Sequence, residues 1–296
     1  MKDWIAGARP RTLPAALVPV LVGSAAAAGM NGDTGSLKGL IIWRVVAALI
    51  VSLALQVGVN YANDYSDGVR GTDADRVGPM RLTGSGRKAP ASVKRAAFLS
   101  FGVAAIAGLG LAAATTWWLI AVGLIAIAAA WFYTGGPRPY GYAGLGELFV
   151  FVFFGVVATA GSAFVQIERF TPLTTLVSIP VGLLATALLV VNNLRDIPGD
   201  TLSGKRTLAV RLGDRTTRYL FVALVVVPFL TVPFLCGLSQ RPVGALSLFA
   251  ILLARRPVQT VIEGARGPAL IPVLGATGRI QLVFGVLLSI GLFVGG

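Results

Sequence analysis

LIIWRVVAALIVSLALQVGVNYANDYSDGVRGTDAD, residues 40–75, runs from a long apolar stretch directly into a cluster of carboxylates. The apolar part, Leu40 to Tyr61, has the length of a membrane helix, since a bilayer core about 30 Å thick takes roughly 20 residues. The acidic part, Asn60 to Asp75, holds Asp64, Asp67, Asp73 and Asp75. A second passage repeats the arrangement: Leu173 to Val191 leads into NNLRDIPGD, Asn192 to Asp200, with Asp196 and Asp200. Six of the nine Asp in the chain lie in these two runs. Ionisable groups beside membrane helices are costly and mark function, so the pair points to a metal-diphosphate site at a membrane surface.

Working outward, 296 residues that are 55% hydrophobic and 12% charged, with mean hydropathy +0.80, lie outside the soluble range, where about 25% of residues are charged. Nine apolar stretches are expected to be membrane helices: Leu13 to Gly29, Leu40 to Tyr61, Ala96 to Ala114, Thr116 to Thr134, Leu145 to Val165, Leu173 to Val191, Tyr219 to Leu235, Val243 to Ala254 and Ile280 to Val294. They are continuous blocks without the alternation of barrel strands. The expected fold is therefore all-α, a polytopic membrane bundle of about nine helices, read as one unit over residues 1–296. The basic segment before Leu13 is read as part of a retained first helix, kinked by Pro14 and Pro19.

Charge sets the expected orientation. With the amino terminus in the cytoplasm, all of the 25 Lys and Arg except Lys38, Arg44, Arg169 and Arg241 fall on the cytoplasmic side, the bias that cytoplasmic loops carry. Both acidic runs then face the cytoplasm from the inner or plasma membrane. The net charge of +13 is accounted for by that bias and by anionic lipid heads, so no nucleic acid is expected. With one Cys and no His, any metal must be held by oxygen.

On a helix, Asn60, Asp64 and Asp67 share one face, and Gly68 and Gly71 are expected to end it. Asn192, Asp196 and Asp200 are spaced by four, with Pro198 and Gly199 expected to stop the helix before Asp200. Clustered carboxylates repel and need cations. Mg2+ takes oxygen ligands and bridges carboxylates to phosphates, which is what a diphosphate leaving group requires. Asp64, Asp67, Asp73, Asp196 and Asp200 are the metal-ligand candidates. Arg70, Arg76 and Arg81 follow the first run and Lys205 and Arg206 the second, cations able to hold phosphate oxygens.

These motifs resemble the two Asp-rich motifs of the UbiA superfamily of intramembrane aromatic prenyltransferases, over nearly the whole chain. NDYSDGVRGTDADRVGPMRLTGSG (63–86), ARPRTLPAALVPVLVG (8–23), YTGGPRPYGYAGLGELFVFVFFG (133–155) and GDTLSGKRTLAVRLG (199–213) are most similar to the branch acting on 1,4-dihydroxy-2-naphthoate. Where many members carry Tyr-x-x-x-Lys, this chain has Tyr133, Pro137 and then Arg138. The resemblance implies a bundle around a central cavity, open sideways so that a polyprenyl tail lies among membrane lipids. It implies transfer of that chain from a polyprenyl diphosphate to the aromatic acid, with Mg2+, decarboxylation and demethylmenaquinone as product.

Within that reading Asp64, Asp67, Asp196, Tyr133 and Arg138 are the catalytic candidates. Asn60, Asn63, Arg70, Arg81, Asn192, Asn193, Lys205 and Arg206 are assigned to substrate, Arg11 or Arg138 to the acceptor carboxylate, and Tyr133, Tyr140 or Tyr142 to the ring. Prenyl length, the general base and oligomeric state are not readable. Two other classes compete: a cation-coupled transporter, disfavoured because the carboxylates sit at helix ends rather than mid-membrane, and a lipid phosphotransferase, whose contiguous D-G-x-x-A-R motif is absent.

Overall fold

A computed structural model describes residues 1–32, 37–71 and 80–296. Among them every regular element is helical: α1 (Lys2–Gly7), α2 (Pro14–Ala27), α3 (Ile42–Arg70), α4 (Pro90–Ala114), α5 (Trp118–Phe132), α6 (Gly146–Ile167), α7 (Pro172–Leu202), α8 (Leu208–Ser239), a 3-10 helix (Pro242–Leu253), α9 (Arg255–Ile262) and α10 (Ile271–Gly295). Six described helices are long and apolar enough to cross a bilayer, or up to eight if each bent pair is one span. The pairs are α1–α2, bent by 53° with Pro14 opening the second piece, and the 3-10 helix with α9, bent by 42°. α5 is apolar but shorter, at 15 residues. Each of the nine stretches expected from the sequence coincides with one of these segments.

Apolar residues are distributed inside and out. α2, α7, α8 and α10 share the main core, with Val18, Leu184, Phe221, Phe284 and Leu288 all fully buried. A second cluster joins α3 to α4 through Tyr61, Leu82, Val93 and Phe101. Large apolar side chains also cover the outside: Leu99, Ile106, Leu124, Leu230 and Leu252 are each more than 60% exposed. In water such a surface would be an aggregation hazard, whereas hydrocarbon accepts it.

Two departures from regular helix position the bundle. α6 contains a π-helical segment, Phe151–Val157, where Gly155 meets Gly182 of α7 so closely that a Cβ on Gly155 would lie 2.6 Å from the Gly182 Cα. α8 is broken at Gly213, whose backbone (φ 76°, ψ 169°) is not helical.

At the bundle end away from the acidic runs, three cations close helix termini, whose last carbonyls have no intrahelical partner, and a fourth holds the turn after α2. Arg241 donates to the carbonyls of Ala25, Ala26 and Ala28 behind α2 and of Leu292 in α10. Lys38 reaches Val294 and Gly296, Arg44 reaches Ala114 and Val165, and Arg169 reaches Met30. These are the four basic residues that the charge pattern assigned to the opposite membrane face.

Candidate functional site

From Ser52 onward α3 carries a polar ladder that only a helix could align. Ser52 donates to the Ala16 carbonyl at 2.8 Å, Gln56 to the Thr12 hydroxyl at 3.0 Å, and Asn60 to the Ala8 carbonyl at 2.9 Å and Thr12 Oγ1 at 3.2 Å. One turn further on, Asp64 is fully buried and both its oxygens are taken by backbone N–H groups, Leu82 at 2.7 Å and Thr83 at 2.9 Å. It fastens residues 81–83 across the end of the helix and does not line the cavity described below. Gly68, expected to break the helix, lies within it. A Cβ there would meet Thr83 at 2.5 Å, so its bareness admits the fastened segment. Gly71 does end α3, with φ 72°.

Asp67 points the other way. Its carboxylate accepts from the Tyr142 hydroxyl, lies 3.3 Å from Lys205 Nζ and 3.8 Å from the Arg81 guanidinium. Lys205 Nζ also sits 4.6 Å from the centre of the Tyr142 ring, a cation–π contact. Its backbone N–H donates to the Asp200 carbonyl at 2.8 Å, so Lys205 ties the two acidic runs together. Asp73, Asp75 and Arg76 lie outside the described residues.

The second run stays helical to Leu202, through Pro198 and Asp200, contrary to the expected stop. Proline removes one hydrogen bond, but the helix resumes at once, with Thr201 Oγ1 donating to the Ile197 carbonyl and the Ser203 N–H to that of Gly199. Asn192, Asp196 and Asp200 thereby remain on one face. Asp196 is held by Arg195 at 2.7 and 2.8 Å, and Arg195 also donates to Asn192 Oδ1 at 2.9 Å. Thr207 lies 3.5 Å from Asp200 Oδ2.

Both runs border one cavity of about 880 Å³. Its polar end is lined by Arg9, Arg11, Asn60, Asn63, Asp67, Arg81, Tyr142, Asn192, Asn193, Arg195, Asp196, Asp200 and Lys205, and its body by apolar groups such as Val51, Leu55, Leu119, Val122, Phe153 and Val157. Tyr133 and Tyr140 also line the cavity, their rings 5.5 Å apart. Tyr133 lies within electrostatic reach of Glu147, Asp67 and Asp200. Tyr140 donates to the Ala129 carbonyl at 2.9 Å and stacks on Phe149 at 4.0 Å; burial pushes its phenol well above the ordinary range.

Several candidates are occupied elsewhere. Arg70 donates to the carbonyls of Thr134 and Gly136, and Asn63 Oδ1 accepts from the Thr134 hydroxyl. The side chains of Arg138 and Arg206 are exposed and outside the cavity lining. Sequence reasoning missed Arg9, Thr12, Gln56, Arg195 and Thr207. Arg195 carries no signal in the sequence, because adjacent helix residues do not face each other and only the reach of its side chain brings it around to Asp196.

Residues 16–267 match the model of the UbiA prenyltransferase family. The 1,4-dihydroxy-2-naphthoate octaprenyltransferase of Mycobacterium tuberculosis is 50% identical over 95% of this chain and 94% of its own. That of Escherichia coli is 36% identical over 98% and 95%. Among solved structures, a UbiA homolog from Archaeoglobus fulgidus bound to DMAPP and Mg2+ superposes with a TM-score of 0.67 at 15% identity, covering 98% of this chain and 99% of the other. The apo structure of a UbiA homolog from Aeropyrum pernix K1 superposes at 0.65 and 15%, over 95% and 96%.

Proposed function

Because the chain belongs to the UbiA prenyltransferase family and is a multi-pass membrane protein, we propose that it transfers a polyprenyl group from a polyprenyl diphosphate to 1,4-dihydroxy-2-naphthoate, with decarboxylation to the quinol form of demethylmenaquinone. One observation carries the reading: a single cavity that is carboxylate- and cation-lined at one end and apolar along its body. A polyprenyl diphosphate has the same polarity, charged at one end and hydrocarbon for the rest.

The donor set suits Mg2+. Asp67, Asp196 and Asp200 reach the cavity with oxygen donors only. Among the described residues no three acidic side chains form a ready-made metal cage, and Mg2+ needs none, since it commonly uses one or two carboxylates with the phosphates supplying the rest. Bound there, the ion would neutralise charge on the departing diphosphate. Arg81 and Lys205, both lining the cavity and at present facing Asp67, exchange that partner for phosphate oxygens. Asp64 serves from behind, holding the backbone beside Arg81.

The allylic carbon–oxygen pair leaves with the diphosphate, and the electron-rich ring donates the pair for the new carbon–carbon bond. Loss of carbon dioxide from the carboxylate leaves its electron pair with the ring and restores aromaticity, with no net release of a proton. Tyr133 and Tyr140, both lining the cavity, present aromatic faces to the cation, and the apolar body excludes the water that would quench it.

Purified protein is incubated with a polyprenyl diphosphate, Mg2+ and a panel of aromatic acids, and product masses are read. The expected product is the prenylated naphthol lacking the carboxyl group, formed with stoichiometric diphosphate, abolished by EDTA and restored by Mg2+. A carboxylated product would overturn the acceptor chemistry, and absence of diphosphate release would overturn the reaction class.

A further inference from the structure

Glu147, at the start of α6, is 6% exposed and buried against α7. Its Oε1 accepts from Asn193 Nδ2 at 2.9 Å, and its Oε2 is buried with no hydrogen-bond partner. A carboxyl group so placed is a poor stabiliser, since a well-packed apolar side chain of similar size would avoid its desolvation. What it does accomplish is orientation. A carboxylate oxygen can only accept, so the amide of Asn193 must turn its N–H end toward Glu147. Its carbonyl oxygen is then the end left to the cavity, which Asn193 lines while Glu147 does not. The helices that carry the two side chains, α6 and α7, are in close contact farther along, where Gly155 meets Gly182.

We propose that Glu147 is a positioning residue for the prenyl acceptor: it turns the Asn193 Oδ1 into the cavity, where that oxygen accepts a hydrogen bond from a ring hydroxyl of the aromatic acceptor. Neighbouring Asn192 has the reverse polarity, its Oδ1 accepting from Arg195 and its N–H end remaining for an acceptor group. The two amides together read a ring that carries both a donor and an acceptor. The inference rests on the acceptor being a dihydroxy aromatic acid, as proposed above.

The test uses the full chain and first establishes by product mass that the wild type prenylates 1,4-dihydroxy-2-naphthoate; if it does not, the functional reading fails, and this assignment with it. Given turnover, Glu147→Met is expected to raise the acceptor KM about tenfold, the effect of losing one oriented hydrogen bond, with the polyprenyl diphosphate KM and Mg2+ requirement unchanged. Glu147→Gln, which retains an accepting oxygen for Asn193, is expected to stay within about twofold of wild type. With wild-type protein alone, an acceptor whose ring hydroxyls are methylated is expected to lose the same tenfold, so the assignment remains exposed even if Glu147→Met fails to fold. Equal defects in the Gln and Met variants would assign Glu147 a charge or proton role instead. A parallel rise in the diphosphate KM, or undiminished use of the methylated acceptor, would overturn the proposal.

Discussion

Asp64 and Asp67, three residues apart on α3, meet opposite surroundings: one is enclosed by backbone N–H groups, the other by a lysine, an arginine and a tyrosine hydroxyl at the cavity. Their amide variants should therefore fail differently. Asp67→Asn is expected to reduce turnover by about 10²-fold or more, the scale of losing one electrostatic contributor in a water-poor site, with an unchanged melting temperature in detergent. Asp64→Asn places an amide N–H against one of two backbone donors and is expected to cost about 1–3 kcal/mol of stability, visible as a lowered melting temperature alongside lost activity. Tyr140 offers a pH test. Its phenol is raised by burial in the fold, whereas in the unfolded chain it ionises near pH 10, about the ordinary value. The contribution of Tyr140 to stability is therefore flat below that pH and falls above it, as only the unfolded state gains the charge. Melting temperatures across an alkaline series should show that break, and Tyr140→Phe should make it shallower.

At the scale of elements, the apolar runs announced their helices because composition alone decides which segments can lie in hydrocarbon. The departures were less readable. Val243 to Ala254 is too short for an α-helical span, and the structure draws it out as a 3-10 helix, with a rise of about 2.0 Å per residue in place of 1.5. The π-helical turn around Gly155 answers the approach of α7, a contact with no signature in the local sequence. The region of the cavity mouth was legible, since Asn/Asp-rich helix ends and basic loops are rare in such a chain. Which carboxylate faces inward was not, because the chain returns at Leu82 and Thr83 to claim Asp64. Gly213 is the element most exposed to testing: its backbone lies in a region that residues with a Cβ avoid. Gly213→Ala is expected to lower stability by about 1–3 kcal/mol, read by thermal unfolding in detergent. An unchanged melting temperature would mean that the break in α8 is not required.

For the whole molecule, the polar mouth of the cavity lies at one end of the bundle and the cation-closed helix termini at the other. On the orientation expected from the charge bias, the mouth faces the cytoplasm. The single Cys236 is buried, so a Cys236→Ser background leaves one reporter when Ser85, exposed in the segment fastened by Asp64, is changed to Cys. An impermeant thiol reagent is expected to label Ser85→Cys in inverted vesicles and not in intact cells. The opposite pattern would invert the topology.

Arg241 draws its carbonyl partners from Ala25, Ala26 and Ala28 and from Leu292, near the beginning and the end of the chain. During synthesis this arginine enters the bilayer when only the first group exists, and its cage cannot close until the final helix arrives. A chain terminated before Leu292 would keep the three alanine carbonyls and lose the fourth, so the last helix is tied to the first through one cation.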